Sequence, residues 1–177
     1  LKKESDLLAI HFDESAGQVK GDASSQIEYK GSCVLIERIT DLFAKNDQVL
    51  RSDFAWYTNG KTGERLDDSN RLSGPSDQLF IEEDAKVTCS IINTNEGPVY
   101  IGTGAEIMEG SLIRGPFSLG DYSQVKMGAK IYGATSIGPE CRVGGEISNS
   151  VLLGYSNKGH DGFLGNSLLG EWCNLGA

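Results

Sequence analysis

The chain has 177 residues and a formal net charge of −9, from 25 acidic and 16 basic residues. An acidic surface disfavours contact with a phosphate backbone, so we expect no nucleic-acid partner. The sequence contains neither an apolar run long enough to span a membrane nor a charged-then-apolar leader, which predicts a cytoplasmic protein with no membrane partner. Its four cysteines are widely spaced and form no CxxC pair, so we expect neither a metal site nor a disulfide framework.

The N-terminal part of the chain, residues 1–72, carries no repeat and predicts a small α+β unit that ends in a linker. Three short apolar segments, separated by polar and glycine-bearing stretches, predict strands of a mainly antiparallel sheet. These segments are residues 7–12, 26–29 and 33–36.

A helix is predicted next, over residues 39–53, because apolar residues recur there at helical spacing. Thr40 or Asp41 is placed to cap its start. Residues 58–77 that follow are polar, contain Gly and Pro and show no period, which predicts a linker.

From Val99 to Val143, an aliphatic residue occupies every sixth position. The eight positions are Ile101, Ile107, Ile113, Leu119, Val125, Ile131, Ile137 and Val143. A six-residue period matches neither a helix nor a strand; it is typical of a parallel β-helix, in which three hexapeptides close one coil. The sequence therefore predicts a mainly β fold, with a parallel β-helix over residues 78–177 and the aliphatic side chains inside.

The repeat has two predicted interruptions. Residues 93–98 are expected to loop out of a corner. After Val143 the register shifts, and we expect Ile147 and Leu153 to carry the new phase, while residues 155–162 contain no inward aliphatic residue. A break in a rigid solenoid is a place where a functional site can be built.

The second interruption contains the main catalytic candidate, His160. Histidine titrates near neutral pH and can act as a general base, provided that a partner orients its ring. Glu146 precedes it by less than one full coil and is placed to be that neighbour. The alternative is an ordinary surface histidine. The other histidine, His11, is expected to be structural, and two histidines cannot form a three-histidine metal site within one chain.

Residues 156–177, SNKGHDGFLGNSLLGEWCNLGA, resemble the acetyltransferase half of the bifunctional bacterial UDP-N-acetylglucosamine pyrophosphorylase and glucosamine-1-phosphate N-acetyltransferase family. The resemblance covers residues 78–177 well, and it covers residues 27–70 moderately, as the end of a nucleotidyltransferase domain in a divergent branch. It implies a left-handed β-helix that acetylates glucosamine 1-phosphate, or a related amino-sugar phosphate, from acetyl-CoA. It also implies a homotrimer with sites between subunits, and a preceding domain that uses Mg²⁺ and transfers uridylyl from UTP.

Four positions match the family's functional residues. The resemblance implies that His160 is the general base and that Glu146 orients it. It further implies that Asn174 contacts the sugar phosphate and that the backbone of Ala177 lies along acetyl-CoA.

Three positions depart from the family in the substrate-binding set. The family's tyrosine is Phe163 here, which lacks the hydroxyl, and its sugar-phosphate lysine aligns with Ser148. The arginine that grips the phosphate has no clean counterpart; Lys126 is the nearest and Arg114 the second choice.

Two interpretations of the function therefore remain open. In the first, the β-helix is an acetyltransferase, which the retained His160, Glu146 and Asn174 favour. In the second, it is a non-acetylating oligomerisation or regulatory platform of a sugar-1-phosphate nucleotidyltransferase, which Phe163 and Ser148 favour. The nucleotidyltransferase signature is absent from the chain, and further coils are expected after its end. We therefore expect a fragment with little or no turnover by itself.

Overall fold

The computed structural model of the chain describes the backbone of residues 2–3 and 6–7, together with residues 31 and 33–176. It divides into two compact units, residues 1–35 and 36–177. In the first unit, Lys2–Lys3 (β1) pairs antiparallel with Asp6–Leu7 (β2). The predicted strand at 26–29, most of the one at 7–12, and the residues His11 and Ala177 lie outside the described part of the chain.

The predicted strand at residues 33–36 is wrong, because these residues have no regular secondary structure. Three of them, Val34, Leu35 and Ile36, are between 42% and 50% exposed. A short apolar run forms a strand only where a neighbouring strand pairs with it, so composition alone is misleading here.

The second unit is dominated by a left-handed parallel β-helix of about six turns. Its strands form three parallel sheets, and successive coils contribute a strand to each. The first sheet contains Arg71–Ser73 (β3), Ile91–Asn93 (β6), Leu112–Arg114 (β9), Lys130–Ile131 (β12), Glu146–Ser148 (β15) and Phe163–Gly165 (β18). The second contains Leu79–Ile81 (β4), Val99–Ile101 (β7), Phe117–Leu119 (β10), Thr135–Ile137 (β13), Val151–Leu152 (β16) and Leu168–Leu169 (β19). The third contains Lys86–Val87 (β5), Glu106–Ile107 (β8), Gln124–Val125 (β11), Arg142–Val143 (β14) and Asn157–Lys158 (β17).

The core is a set of aliphatic ladders, in which each inward side chain lies above its register partner in the coil below. The eight residues of the six-residue period are all inside, and none is more than 2% exposed. The prediction of a β-helix with these residues as its core is therefore confirmed. Phe117, the first residue of β10, is also buried, at 1% exposure.

The β-helix begins earlier than the sequence pattern indicates. β3, at Arg71–Ser73, pairs in parallel with β6, and so belongs to the first sheet. It lies within residues 58–77, which the composition predicts to be a linker. Leu66 and Leu72 pack against the core from this segment. Only these few apolar residues mark the first coil, so its period cannot be read from the sequence.

The register confirms one interruption and corrects the other. Ile91 pairs with Leu112, so this coil is three residues longer than three hexapeptides. Residues 93–98 lie in this coil and do add length at a corner. After Val143 the opposite happens, because Ile137 pairs with Leu152, three residues short of that step. Leu152 is consequently inside at 1% exposure, whereas Leu153, the predicted inward residue, is 44% exposed. The prediction of Leu153 is wrong because the inward residues Ile147 and Leu152 are five positions apart instead of six.

Within residues 33–176, two helices precede the β-helix, at Asp41–Ala44 (α1) and Asn46–Tyr57 (α2). The predicted helix over 39–53 is therefore broken at Lys45 and extends to Tyr57. Thr40 is the N-cap but makes no capping bond through its side chain. Instead, the Asp41 carboxylate accepts the amide hydrogens of Glu37 and Arg38 at 3.0 and 3.3 Å, and these bonds lower its pKa.

One buried polar residue, Asn46, anchors α2 on the second sheet. Its Nδ2 donates to the carbonyl oxygen of Ala134 at 2.7 Å, and its Oδ1 accepts from Ser136 Oγ at 2.9 Å. Asn46 is 7% exposed, so both amide atoms are satisfied away from water. The predicted apolar stripe contributes less than expected, since Ile39 is 71% exposed.

The inward ladder predicts a large cost for truncating one rung. Ile131 lies between Ile113 and Ile147 and is 2% exposed. We expect Ile131→Ala to lower the free energy of unfolding by about 2–5 kcal/mol, from lost burial and the cavity left behind. Lys130→Ala, on the outward face of the same strand, should change it by about 0.5 kcal/mol or less. Equal losses in chemical denaturation of the two variants would contradict the ladder.

The anchoring role of Asn46 predicts that Asn46→Ala destabilises the chain by about 1–3 kcal/mol, because the Ala134 carbonyl loses its buried donor. Gln48→Ala, at an exposed position of the same helix, is the matched control. Urea titration followed by circular dichroism measures both. An Asn46→Ala protein as stable as the control would show that α2 is not held by this side chain.

Candidate functional site

The most irregular coil of the β-helix follows Val143. In the third sheet Val125 pairs with Val143 after three full hexapeptides, but Val143 then pairs with Lys158, three residues sooner than that step requires. The corner from β14 to β15 shrinks to two residues, Gly144 and Gly145. A Cβ on Gly144 would lie 2.5 Å from the carbonyl oxygen of Gly159, and Gly145 has a φ of +72°. Glycine at both positions lets the next corner, residues 159–162, lie directly on the short one.

Lys158 occupies an inward position that Val87, Ile107, Val125 and Val143 occupy in the coils below. It is 6% exposed. Its Nζ donates to the carbonyl oxygen of Gly144 at 3.0 Å and to that of His160 at 2.5 Å. Burial lowers the pKa of Lys158, and the nearby carboxylate of Asp161 opposes this in part.

His160 lies on the exposed corner that follows Lys158. Its carbonyl oxygen is held by the Lys158 ammonium, which fixes the main chain at this point. Within residues 33–176, no hydrogen bond reaches its imidazole ring. The ring is thus free to meet a ligand while its backbone is tied down.

Glu146 lies one coil below, where it pairs with Phe163 in the first sheet, and its amide donates to the carbonyl oxygen of Gly162 at 3.0 Å. The predicted placement of Glu146 in the coil adjacent to His160 agrees with this register. No hydrogen bond within the described range joins the Glu146 carboxylate to the His160 ring. The two residues therefore share a corner without being engaged with each other.

Glu146, Ser148 and Phe163 lie on the outer face of the first sheet. The residues next to them in the strands, Ile147 and Leu164, take the inward positions. Phe163 is 67% exposed. Its ring covers the Cα of Gly165, where a Cβ would come within 2.4 Å of a ring carbon. The aromatic ring thus fills space above Ser148, which is the register partner of Gly165.

The remaining predicted residues lie on the third sheet or further down. Asn174 bridges to Asn157, and its side-chain oxygen accepts from Asn157 Nδ2 at 2.9 Å. Lys126 lies two coils below Gly159 and donates to Gln124 Oε1 at 2.8 Å. Arg114, the second choice for the phosphate contact, forms an ion pair with Glu96 at 3.3 Å. Glu146 and Phe163 are thus register partners that directly follow two stacked corners, residues 144–145 and 159–162, and His160 lies on the second of these. Ser148 lies at the other end of β15, and Asn174 and Lys126 lie on the side of the third sheet.

Sequence reasoning missed Lys158, since the polar pattern of residues 155–162 indicates no inward side chain. The step from Val143 to Lys158 equals the step from Ile137 to Leu152, but this shared offset is visible only in the strand register of the structure.

Among residues 33–176, no three His, Cys, Asp or Glu side chains come together as metal ligands, and no helix is long and apolar enough to cross a membrane. No family model matches the chain. It is similar to the bifunctional protein GlmU of Rippkaea orientalis (strain PCC 8801 / RF-1), at 30% identity over 122 residues. The match takes in 57% of this chain, which spans 27% of the length of that relative.

The lowered pKa of Lys158 predicts a pH-dependent stability difference between the wild-type chain and Lys158→Met. Between the lowered folded-state pKa and the unfolded value near 10.5, the unfolded chain holds the proton and the folded chain does not. Stability rises with pH in that window. We therefore expect the free energy of unfolding of the wild type, minus that of Lys158→Met, to rise between pH 7 and pH 10, by at most about 1.4 kcal/mol per pH unit.

Denaturant titrations at several pH values measure this difference. Lys130→Met, at an exposed site, provides the comparison for general effects of pH and net charge. A difference that stays constant or falls as the pH rises would show that Lys158 is not titrating with a lowered pKa.

Proposed function

We propose that the β-helix of this chain transfers an acetyl group from acetyl-CoA to the amino group of glucosamine 1-phosphate or a related amino-sugar phosphate. The observation that carries the proposal is the position of His160, at an exposed corner of a left-handed β-helix, within the segment that resembles the acetyltransferase half of its family. The similarity to a bifunctional GlmU protein supports the same reaction class.

The proposed reaction needs a base and proceeds without a covalent enzyme intermediate. The amine nitrogen attacks the thioester carbonyl carbon while the His160 imidazole takes the amine proton. The carbon–sulfur bond then breaks, the amide forms, and the CoA thiolate leaves and takes the proton back from the His160 imidazolium, which restores the base. Backbone N–H groups near the attacked carbonyl would stabilise the oxyanion.

Glu146 is proposed to orient the His160 ring. It lies in the coil below, where the register puts it beneath Phe163 at the same corner. Catalytic hydrogen bonds are often long or absent without substrate and tighten in the complex, so the unengaged pair fits this role.

Substrate contacts are proposed for Asn174 and Lys126 on the third sheet, and acetyl-CoA would lie along the backbone at Ala177. Phe163 supplies an apolar ring, and Ser148 a short hydroxyl, at positions where the family has a tyrosine and a lysine. The surface beside Glu146 is therefore less polar than in the family. This favours a substrate that binds with little help from side chains at positions 148 and 163.

The chain covers about a quarter of its relative, so the activity of a whole protein is a further part of the proposal. That part includes nucleotidyl transfer to the sugar 1-phosphate by another domain, for which the residues that precede the first coil of the β-helix would be the C-terminal end. Any Mg²⁺ would belong to that domain. It also includes assembly as a cytoplasmic homotrimer.

The second candidate is a β-helix that serves only as an oligomerisation or regulatory platform. Exposed apolar residues on the outer face of the first sheet favour it, namely Ile91, Leu112 and Phe163, at 47%, 45% and 67% exposure. Such side chains suit a protein interface as well as a substrate surface.

Removing the proposed base separates the two candidates. In the full-length protein, we expect His160→Asn to lower kcat for acetyl transfer by about 10²- to 10⁴-fold, the usual contribution of a general base. Thiol release from acetyl-CoA in the presence of glucosamine 1-phosphate, and of other amino-sugar phosphates, measures this rate.

Glu109→Gln is the matched control, since Glu109 is exposed at the same corner in a lower coil. It should keep the wild-type rate. A His160→Asn protein with wild-type turnover would remove His160 from the mechanism. A wild-type protein that releases no CoA with any amino-sugar phosphate would favour the platform.

A further inference from the structure

At the corner between the third and first sheets, two lower coils share one hydrogen-bond pattern. The carbonyl oxygen that follows the strand of the third sheet accepts a serine hydroxyl from the coil beneath it. Ser90 Oγ donates to the carbonyl oxygen of Met108 at 3.0 Å, and Ser111 Oγ donates to that of Lys126 at 3.1 Å. Both serines are buried, so these bonds satisfy carbonyls that water reaches poorly.

The next coil breaks the pattern. Ala129 follows Ser111 in the buried corner column and has no hydroxyl, and the next carbonyl in the series is that of Gly144. Lys158 supplies the donor from the opposite side, because its Nζ reaches the Gly144 oxygen at 3.0 Å from the coil above. The lysine thus replaces the missing serine.

The same ammonium also donates to the carbonyl oxygen of His160, at 2.5 Å. It therefore ties the corner that carries His160 to the corner below it, at Gly144. Among the described residues, neither Ser90 nor Ser111 donates a second bond to the coil above the carbonyl that accepts its hydroxyl.

The corner of His160 needs this link more than the lower corners do. Ser111 and Ala129 close their corners from inside, each at 0% exposure. The equivalent position in the corner of His160 is Gly162, which is exposed and has a φ of +119°. With no buried side chain at Gly162, the stem of Lys158 fills the interior and its ammonium holds the chain.

A buried ammonium is a costly solution at a position where valine occupies the coil below. Taking a cation out of water is energetically unfavourable, and replacing it by an apolar residue of similar volume often leaves a protein equally stable or more stable. Packing alone would therefore favour an aliphatic residue at this position. A charged residue there indicates a requirement other than core stability.

We propose that Lys158 is a positioning residue that holds the main chain of His160 in the place required of the general base. This inference rests on the proposed function of His160. Lys158 touches no reacting group; it acts through the carbonyl of His160, the residue from which the imidazole projects. Displacement of a catalytic group by about 1 Å can cost about 10²-fold in rate, so a loose corner would slow proton transfer.

A matched pair of variants in the full-length protein separates positioning from stability. Lys158→Met keeps an unbranched stem and removes both donated bonds. Ala129→Ser adds the hydroxyl that the lower coils use, so the double variant Lys158→Met/Ala129→Ser restores a donor to Gly144 but not to His160. Ala129→Ser alone is the control.

We expect Lys158→Met to lower kcat about 10- to 100-fold, with KM for the amino-sugar phosphate changed about threefold or less. The double variant should regain stability in denaturant titration without regaining kcat. The ring signal of His160 in a ¹³C-histidine-labelled protein, assigned by its loss in His160→Asn, should shift or broaden in both lysine variants. It should stay unchanged in Ala129→Ser.

A wild-type kcat and ring signal in Lys158→Met would overturn the proposal. Recovery of both in the double variant would overturn it as well, because the lysine would then act only through Gly144. The ring signal needs no turnover: if the wild-type protein transfers no acetyl group, the proposed function fails, while the signal still decides whether Lys158 positions His160.

Discussion

The register of the parallel strands is the constraint on which the rest of this structure depends. Each inward side chain must lie above the one in the coil below, because the strands share backbone hydrogen bonds at a spacing of about 4.8 Å. A coil can therefore gain or lose residues only between strands. In this chain the extra residues lie at 93–98 and the missing ones lie around Gly144 and Asn149, at the corners that join the strands. The corners are thus where sequence can change without disturbing the core.

The corner from the third to the first sheet shows how such a change creates a site. Shortening this corner to Gly144 and Gly145 brings the backbone of residues 159–162 down onto it. The approach is so close that a Cβ added to Gly144 would lie at a distance of 2.5 Å from the carbonyl oxygen of Gly159. The four-residue corner above has no buried small side chain, unlike the corners that contain Ser111 and Ala129. It opens outward with His160 exposed, and Lys158 fills the interior. The same local event exposes the candidate base and anchors its backbone.

Sequence reasoning predicts the fold where one rule repeats, and it fails where coil length or tertiary pairing decides. Ile101 to Val143 are placed correctly because every coil there closes after three full hexapeptides. Leu153 is wrongly predicted as inward, since a one-residue slip in a strand reverses its faces, and a single shortened coil has no period of its own. His160 and Glu146 are candidates from the interruption and from their spacing, whereas Phe163 comes from the resemblance. In the structure Glu146 pairs with Phe163, directly after the corner that carries His160. Lys158 escapes the prediction, because a lysine is not expected among inward aliphatic residues.

The charge of the chain limits which side chains can hold the proposed substrates. Both acetyl-CoA and an amino-sugar phosphate carry phosphate, and a chain with a net charge of −9 must attract them through a local cluster of cations. Lys158 cannot contribute a direct contact, since it is 6% exposed and its ammonium points at two carbonyl oxygens. On the third sheet, Arg142 is the register partner of Asn157, which bridges to Asn174, and Lys126 directly follows the strand of the coil below Arg142. A phosphate bound there would lie on the opposite side of the His160 corner from Ser148 and Phe163, so the loss of the family's lysine and tyrosine on the first sheet need not remove the phosphate contact.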